Sequence, residues 1–140
     1  MSSALDRLKN LTAKISSYEL ARKENIVELD LLFNKLGINK KVSDLDALFL
    51  YKAINITGIS LHADSLAQIQ EGKYIQIIAI SYDKERKIKN RNSSLGYFGR
   101  AEKIDESLKS DIVTFILRWR FEKSFMTLER YHTMIQRANS

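Results

Sequence analysis

The sequence predicts a mainly α, single-domain helical bundle with long N- and C-terminal helices. Three observations carry that expectation. The 140 residues contain no proline, the residue that most often stops a helix. Apolar residues recur at steps of three and four over about residues 3–36. Residues 101–138 carry a still stronger helical pattern.

In the first segment Ala4, Leu8, Leu11, Ile15 and Tyr18 form one stripe, which resumes at Leu29, Leu32 and Leu36. Gly37 is expected to stop the helix in the left-handed cap position. Arg22 and Asn25 interrupt the stripe. They either break the segment into two helices or mark a polar point in a helix–helix seam, and the break is the expectation. Ser43, with Asp46 three residues on, reads as the start of a helix running to about Ile54. A short helix is expected from Asp64 to Gly72, burying Leu66 and Ile69.

Residues 73–82 read two ways. Four isoleucines and two tyrosines favour a strand, yet Tyr74, Ile77, Ile78 and Tyr82 also share a helical face. A strand here needs a partner for its backbone, from Ile54–Ser60, from 95–98 or from another subunit. The fold class becomes α+β if residues 73–82 form that strand. Residues 84–100 read as a loop. The last helix marks one face with Ile104, Leu108, Ile112, Phe115, Trp119 and Met126, and Leu117, Phe121, Phe125 and Leu128 widen it. Such a helix is central in a core or shared with a second subunit.

Composition narrows the function classes. Hydrophobic residues at 44% and charged residues at 29% suit one globular domain spanning 1–140. With no cysteine there are no disulfides, thiolate metal sites or cysteine nucleophiles. No secretory signal or membrane-length apolar run is visible, so the expected setting is cytoplasmic. His62 and His132 sit in no metal-spacing motif. Neither glycine-rich nucleotide fingerprint occurs, and no serine lies in a nucleophile elbow. The sequence predicts no enzyme, no metal and no cofactor.

One charge feature stands out. Lys84, Arg86, Lys87, Lys89 and Arg91, with Glu85, give residues 84–91 four of the six net positive charges of the chain. Concentrated cationic side chains attract polyanions by neutralising phosphate and releasing counterions. Tyr82, Tyr97 and Phe98 flank the run, and aromatic rings can stack on unpaired bases. Arg100 follows in Gly96-Tyr97-Phe98-Gly99-Arg100, a candidate turn before a helix. Arg120, Lys123, Arg130 and Arg137 share one helical stripe that extends the basic surface.

These residues predict a non-enzymatic, self-associating protein that binds nucleic acid, RNA ahead of DNA, with a homo-oligomer as its working form. The alternative is a structural or adaptor subunit of the coat or matrix kind, assembling through its helices. An anionic membrane surface is a third, lower-ranked partner.

Overall fold

A computed structural model describes residues 3–16, 18–82 and 90–140. Two helices lead, α1 (Ala4–Ser16) and α2 (Tyr18–Lys35). Three strands follow, β1 (Ala53–Thr57), β2 (Tyr74–Tyr82) and β3 (Asn90–Arg100), and the chain closes with helix α3 (Glu106–Ala138). Short 3-10 turns at Ile38–Lys40, Asp46–Leu50, Ala63–Ser65 and Ala101–Lys103 fill the connections. The strands form one antiparallel sheet in the order β1-β2-β3.

The fold is therefore mixed α+β and not a helical bundle. Residues 73–82 are a strand, and it takes two of its candidate partners at once. Ile54 and Ile56 pair with Ala79 and Ile77, and β3 pairs along the other edge. The expected helix over 43–54 shrinks to the turn at Asp46–Leu50, capped by Asp44, whose Oδ1 accepts from the Ala47 amide at 2.9 Å. Only one 3-10 turn stands where a helix over 64–72 was expected, and Leu66 and Ile69 stay partly exposed. The expected loop at 84–100 is strand β3 from Asn90 onward.

α2 and α3 run antiparallel, which their contacts in order establish. Arg22 reaches Glu122, Asn25 reaches Arg118, and Lys35 reaches Asp111. Leu29, Leu32 and Phe33 from α2 and Ile112, Val113, Phe115, Ile116 and Trp119 from α3 form one core with Ile54, Ile75, Ile77, Ala79 and Leu95 of the sheet. The Trp119 indole donates to the Leu48 carbonyl at 3.0 Å and stacks on Phe49, tying the turn before β1 to α3. Gly37 has φ of 75°, the left-handed stop its position predicted.

Arg22 and Asn25 do not break the helix. They are the polar point of the α2–α3 seam. Asn25 is buried and exchanges hydrogen bonds with the Arg118 carbonyl and guanidinium, both at 3.0 Å. The Arg22 guanidinium meets buried Glu122 at 2.6 Å and Glu129 at 2.8 Å. A buried carboxylate is tolerable only when paired in this way. The same pairing holds Arg22 further into its charged form, chiefly through hydrogen bonds to Glu122 and then Glu129. At the start of α3, Asp105 accepts from the Ser107 and Leu108 amides, satisfying donors that no helix turn can.

Candidate nucleic-acid interface

The sheet has one covered face and one open face. β2 alternates strictly: Ile75, Ile77 and Ala79 are buried against the helices, while Tyr74, Gln76, Ile78, Ile80 and Tyr82 project the other way. β1 adds Asn55 and Thr57 to the open side.

β3 does not alternate, because it carries two bulges. Nine residues of β2 face eleven of β3, and the register shifts leave Leu95 and Phe98 without a cross-strand partner. An extra residue in one strand resets which side the next side chain takes. Ser94, Tyr97 and Arg100, three apart, therefore fall on one face, opposite Ile78, Gln76 and Tyr74. Gly99 makes the second bulge feasible with φ of 88°. Gly96 lets the Phe98 ring lie against the backbone, since a Cβ there would sit 2.9 Å from the ring.

The open face is aromatic at one end. Tyr74 and Tyr97 are 52% and 59% exposed, with ring centroids 5.9 Å apart. The Arg100 guanidinium lies over the Tyr74 ring at 5.9 Å, within cation–π range. Arg100 is also paired with Glu102 at 2.6 Å. That pairing holds Arg100 further into its charged form. The Glu102 carboxyl is held below its usual range by its own backbone amide first, then by Arg100. Along the face from Tyr74 stand Gln76, Ile78, Ile80 and, at the far end, Tyr82, 54% exposed.

The other expected site residues lie elsewhere. Lys84, Arg86, Lys87 and Lys89 fall outside the described residues. The segment holding them links Tyr82 to Asn90, which pair at the end of the sheet. Arg91 pairs with Ser81 on the helix-side face and is exposed. Tyr97 lies away from the end of the sheet at Tyr82 and Asn90. Its partner Gln76 is six residues from Tyr82, roughly 20 Å along a strand. Phe98 turns to the helix side and packs against the core, so it offers no ring to a ligand on the open face. Gly96–Arg100 forms bulged strand, and no anion-binding turn precedes α3.

The basic stripe of α3 separates into two parts. Arg120 donates to the Ile54 carbonyl at 3.2 Å and to Asn55 at 3.0 Å, holding the β1 edge. Lys123 donates to the Phe49 carbonyl at 2.6 Å. Its ammonium is pushed below its usual range by burial first and by Arg130 second. Both head groups are thus committed to the fold. Arg130 and Arg137 are exposed, on the part of α3 that extends past the core.

The residue that sequence reasoning missed is Tyr74, because only the register brings it to Tyr97. The glycines at 96 and 99, spaced by three beside aromatic residues, are the signal that could have indicated a bulged strand. A cleft of about 410 Å³ at the β1 edge is lined by Asn55, Ser60, His62 and Arg120. Its hydroxyl is occupied, since Ser60 bonds Ser65 and accepts from the His62 amide. Among the described residues no group of three or more metal-ligating side chains converges. Among them, too, no helix is long and apolar enough to cross a membrane. No protein-family model, curated protein or solved structure matches this chain.

Proposed function

We propose that this is a non-enzymatic protein that binds single-stranded nucleic acid, RNA ahead of DNA, across the open face of its sheet. The observation that carries this reading is the exposed pair Tyr74 and Tyr97 with Arg100 beside it, on a face that no described helix covers. Stacking needs a flat ring with one free side, and a cation next to it supplies a phosphate contact. Ile78 and Ile80 give the middle of the path an apolar floor, and Asn55, Asn92 and Ser94 give it polar edges.

The basic run at 84–91 enters from the far end, through Tyr82 and Asn90. Lys84, Arg86, Lys87 and Lys89 would neutralise backbone phosphates without reading sequence, joined by Arg91, which would reach around the end of the sheet from its helix-side face. Arg100 serves the aromatic end. Arg120 and Lys123 are left out, because their donors already satisfy backbone carbonyls. Under this reading the protein works in the cytoplasm.

Fluorescence anisotropy with a labelled oligouridine tests it. Tyr74→Ala and Tyr97→Ala each remove a stacking platform worth about 1–3 kcal/mol per base, which weakens binding roughly 5- to 150-fold. If about five phosphates are neutralised, the logarithmic salt slope is on the order of −3 to −4, and replacing the five basic residues by serine flattens it. Affinity that ignores both tyrosines would overturn the sheet-face reading.

A further inference from the structure

The two terminal helices carry apolar stripes that no described residue covers. On α1, Leu5, Leu8 and Leu11 repeat every three residues and are 59%, 60% and 53% exposed. On the last part of α3, Leu128, Tyr131, Met134 and Ile135 follow at steps of three and four and are 53–58% exposed. α1 has 13 residues, and α3 from Met126 to Ala138 has the same number. Tyr18, the first residue of α2, packs edge-on against Phe121 and Phe125, where the core of α3 ends. Beyond that point the chain lays neither helix over the other's stripe.

We infer that a second copy of this chain covers them, with α1 of each copy lying along the Met126–Ala138 segment of the other's α3. Equal length and apolar residues at helical spacing on both segments are what two helices need to interdigitate along one seam. The seam is continuous with the α2–α3 interface through Tyr18 and Phe125. A reciprocal two-fold exchange uses both stripes of both copies and leaves none over, so the assembly closes at a dimer. Seven large side chains, each offering on the order of 100 Å², give about 700 Å² per chain, close to the roughly 800 Å² per partner of a stable interface. This inference rests on the terminal helices and stands independently of nucleic-acid binding on the sheet.

The experiment is light scattering with the full chain and two variants. Leu5→Glu/Leu8→Glu places carboxylates in the α1 stripe, and Leu128→Glu/Ile135→Glu places them in the α3 stripe. The replaced residues are exposed within the chain, so the core and its circular-dichroism spectrum are retained. The unaltered chain is expected to be a dimer and each variant alone a monomer. Mixing the two variants restores a dimer, because one α1–α3 seam is intact in the mixed pair. A monomeric unaltered chain, a dimer that survives either variant, or a mixture that stays monomeric overturns the inference. A dimer that survives either variant would instead indicate like-with-like pairing, α1 on α1 and α3 on α3, since each variant keeps one such seam intact.

Discussion

The two faces of the sheet both hold isoleucines and aromatic rings, and those residues meet opposite fates. Ile77 and Ile78 are adjacent isoleucines in β2. Ile77 is fully buried beneath the helices, while Ile78 lies among polar and aromatic neighbours on the open side. Tyr97 and Phe98 repeat the contrast in β3, one ring free and the other closed against Gly96 and the core. Side-chain direction decides the fate of each residue. On a strand that direction is set by register, and here the register is set by two bulges. One face consequently holds the fold together, and its opposite face is left free to meet a ligand.

That contrast can be broken most sharply at the adjacent isoleucines. Ile77→Ala removes packed methyl groups from a closed core and should cost about 2–5 kcal/mol. Ile78→Ala removes the same atoms from a half-buried position on the opposite face, and should cost about 1 kcal/mol or less. Chemical denaturation of both variants measures the difference. The binding readout should reverse the order, with Ile78→Ala weakening oligonucleotide affinity in a protein that is otherwise folded. Equal stability losses would mean that something does cover the second face.

How far the sequence reveals this arrangement depends on how local each cause is. Gly37 and the buried positions Leu29, Ile112, Phe115 and Trp119 follow from capping and periodicity, which act within a few residues. By contrast, α3 starts at Glu106 behind its Asp105 cap and not at Ala101, where a 3-10 turn stands instead. The strand β2 is legible in composition and ambiguous only in period. β3 is hidden because Asn90, Asn92, Ser93 and Ser94 are poor strand formers and the bulges erase the alternation that marks a strand. Arg22 and Asn25 are legible only as a break or a polar seam point, and Arg120 and Lys123 only as surface charge. Each is matched to a group about 65 to 100 residues away, such as Glu122 for Arg22 and the Ile54 carbonyl for Arg120. The basic run was legible as charge, while the aromatic end of the open face needed the register to assemble it.

A smaller effect tests the bulges themselves. Gly99→Ala puts a side chain at φ of 88° where no atom lies within 4 Å of the new Cβ. Its cost is therefore conformational, about 1–2 kcal/mol. Gly96→Ala acts differently, driving a Cβ to 2.9 Å from the Phe98 ring and forcing that ring to swing. Gly99→Ala should also reduce oligonucleotide affinity, since it disturbs the turn of the strand that brings Tyr97 and Arg100 to one face. Gly96→Ala should expose Phe98 and leave Tyr97 in place. Loss of stability without loss of affinity in Gly99→Ala would separate the bulge from the binding face.

The smallest expected effect concerns the charge on the open face. Arg100 shares its guanidinium between Tyr74 and Glu102, so the carboxylate competes with any phosphate that approaches. Glu102→Gln removes that competitor and should tighten oligonucleotide binding a few-fold, with little change in stability because the pair is exposed. Glu102 has its carboxyl held below the usual range, so its pairing contributes above the ordinary carboxylate pKa and is lost as pH falls through the lowered value. The advantage of Glu102→Gln over the unaltered chain should therefore shrink at acid pH, where the native carboxylate protonates and releases Arg100 as well. An advantage that persists undiminished at low pH would mean that Glu102 acts on the shape of the face, through its contact with the Gly72 amide, and not on the charge of Arg100.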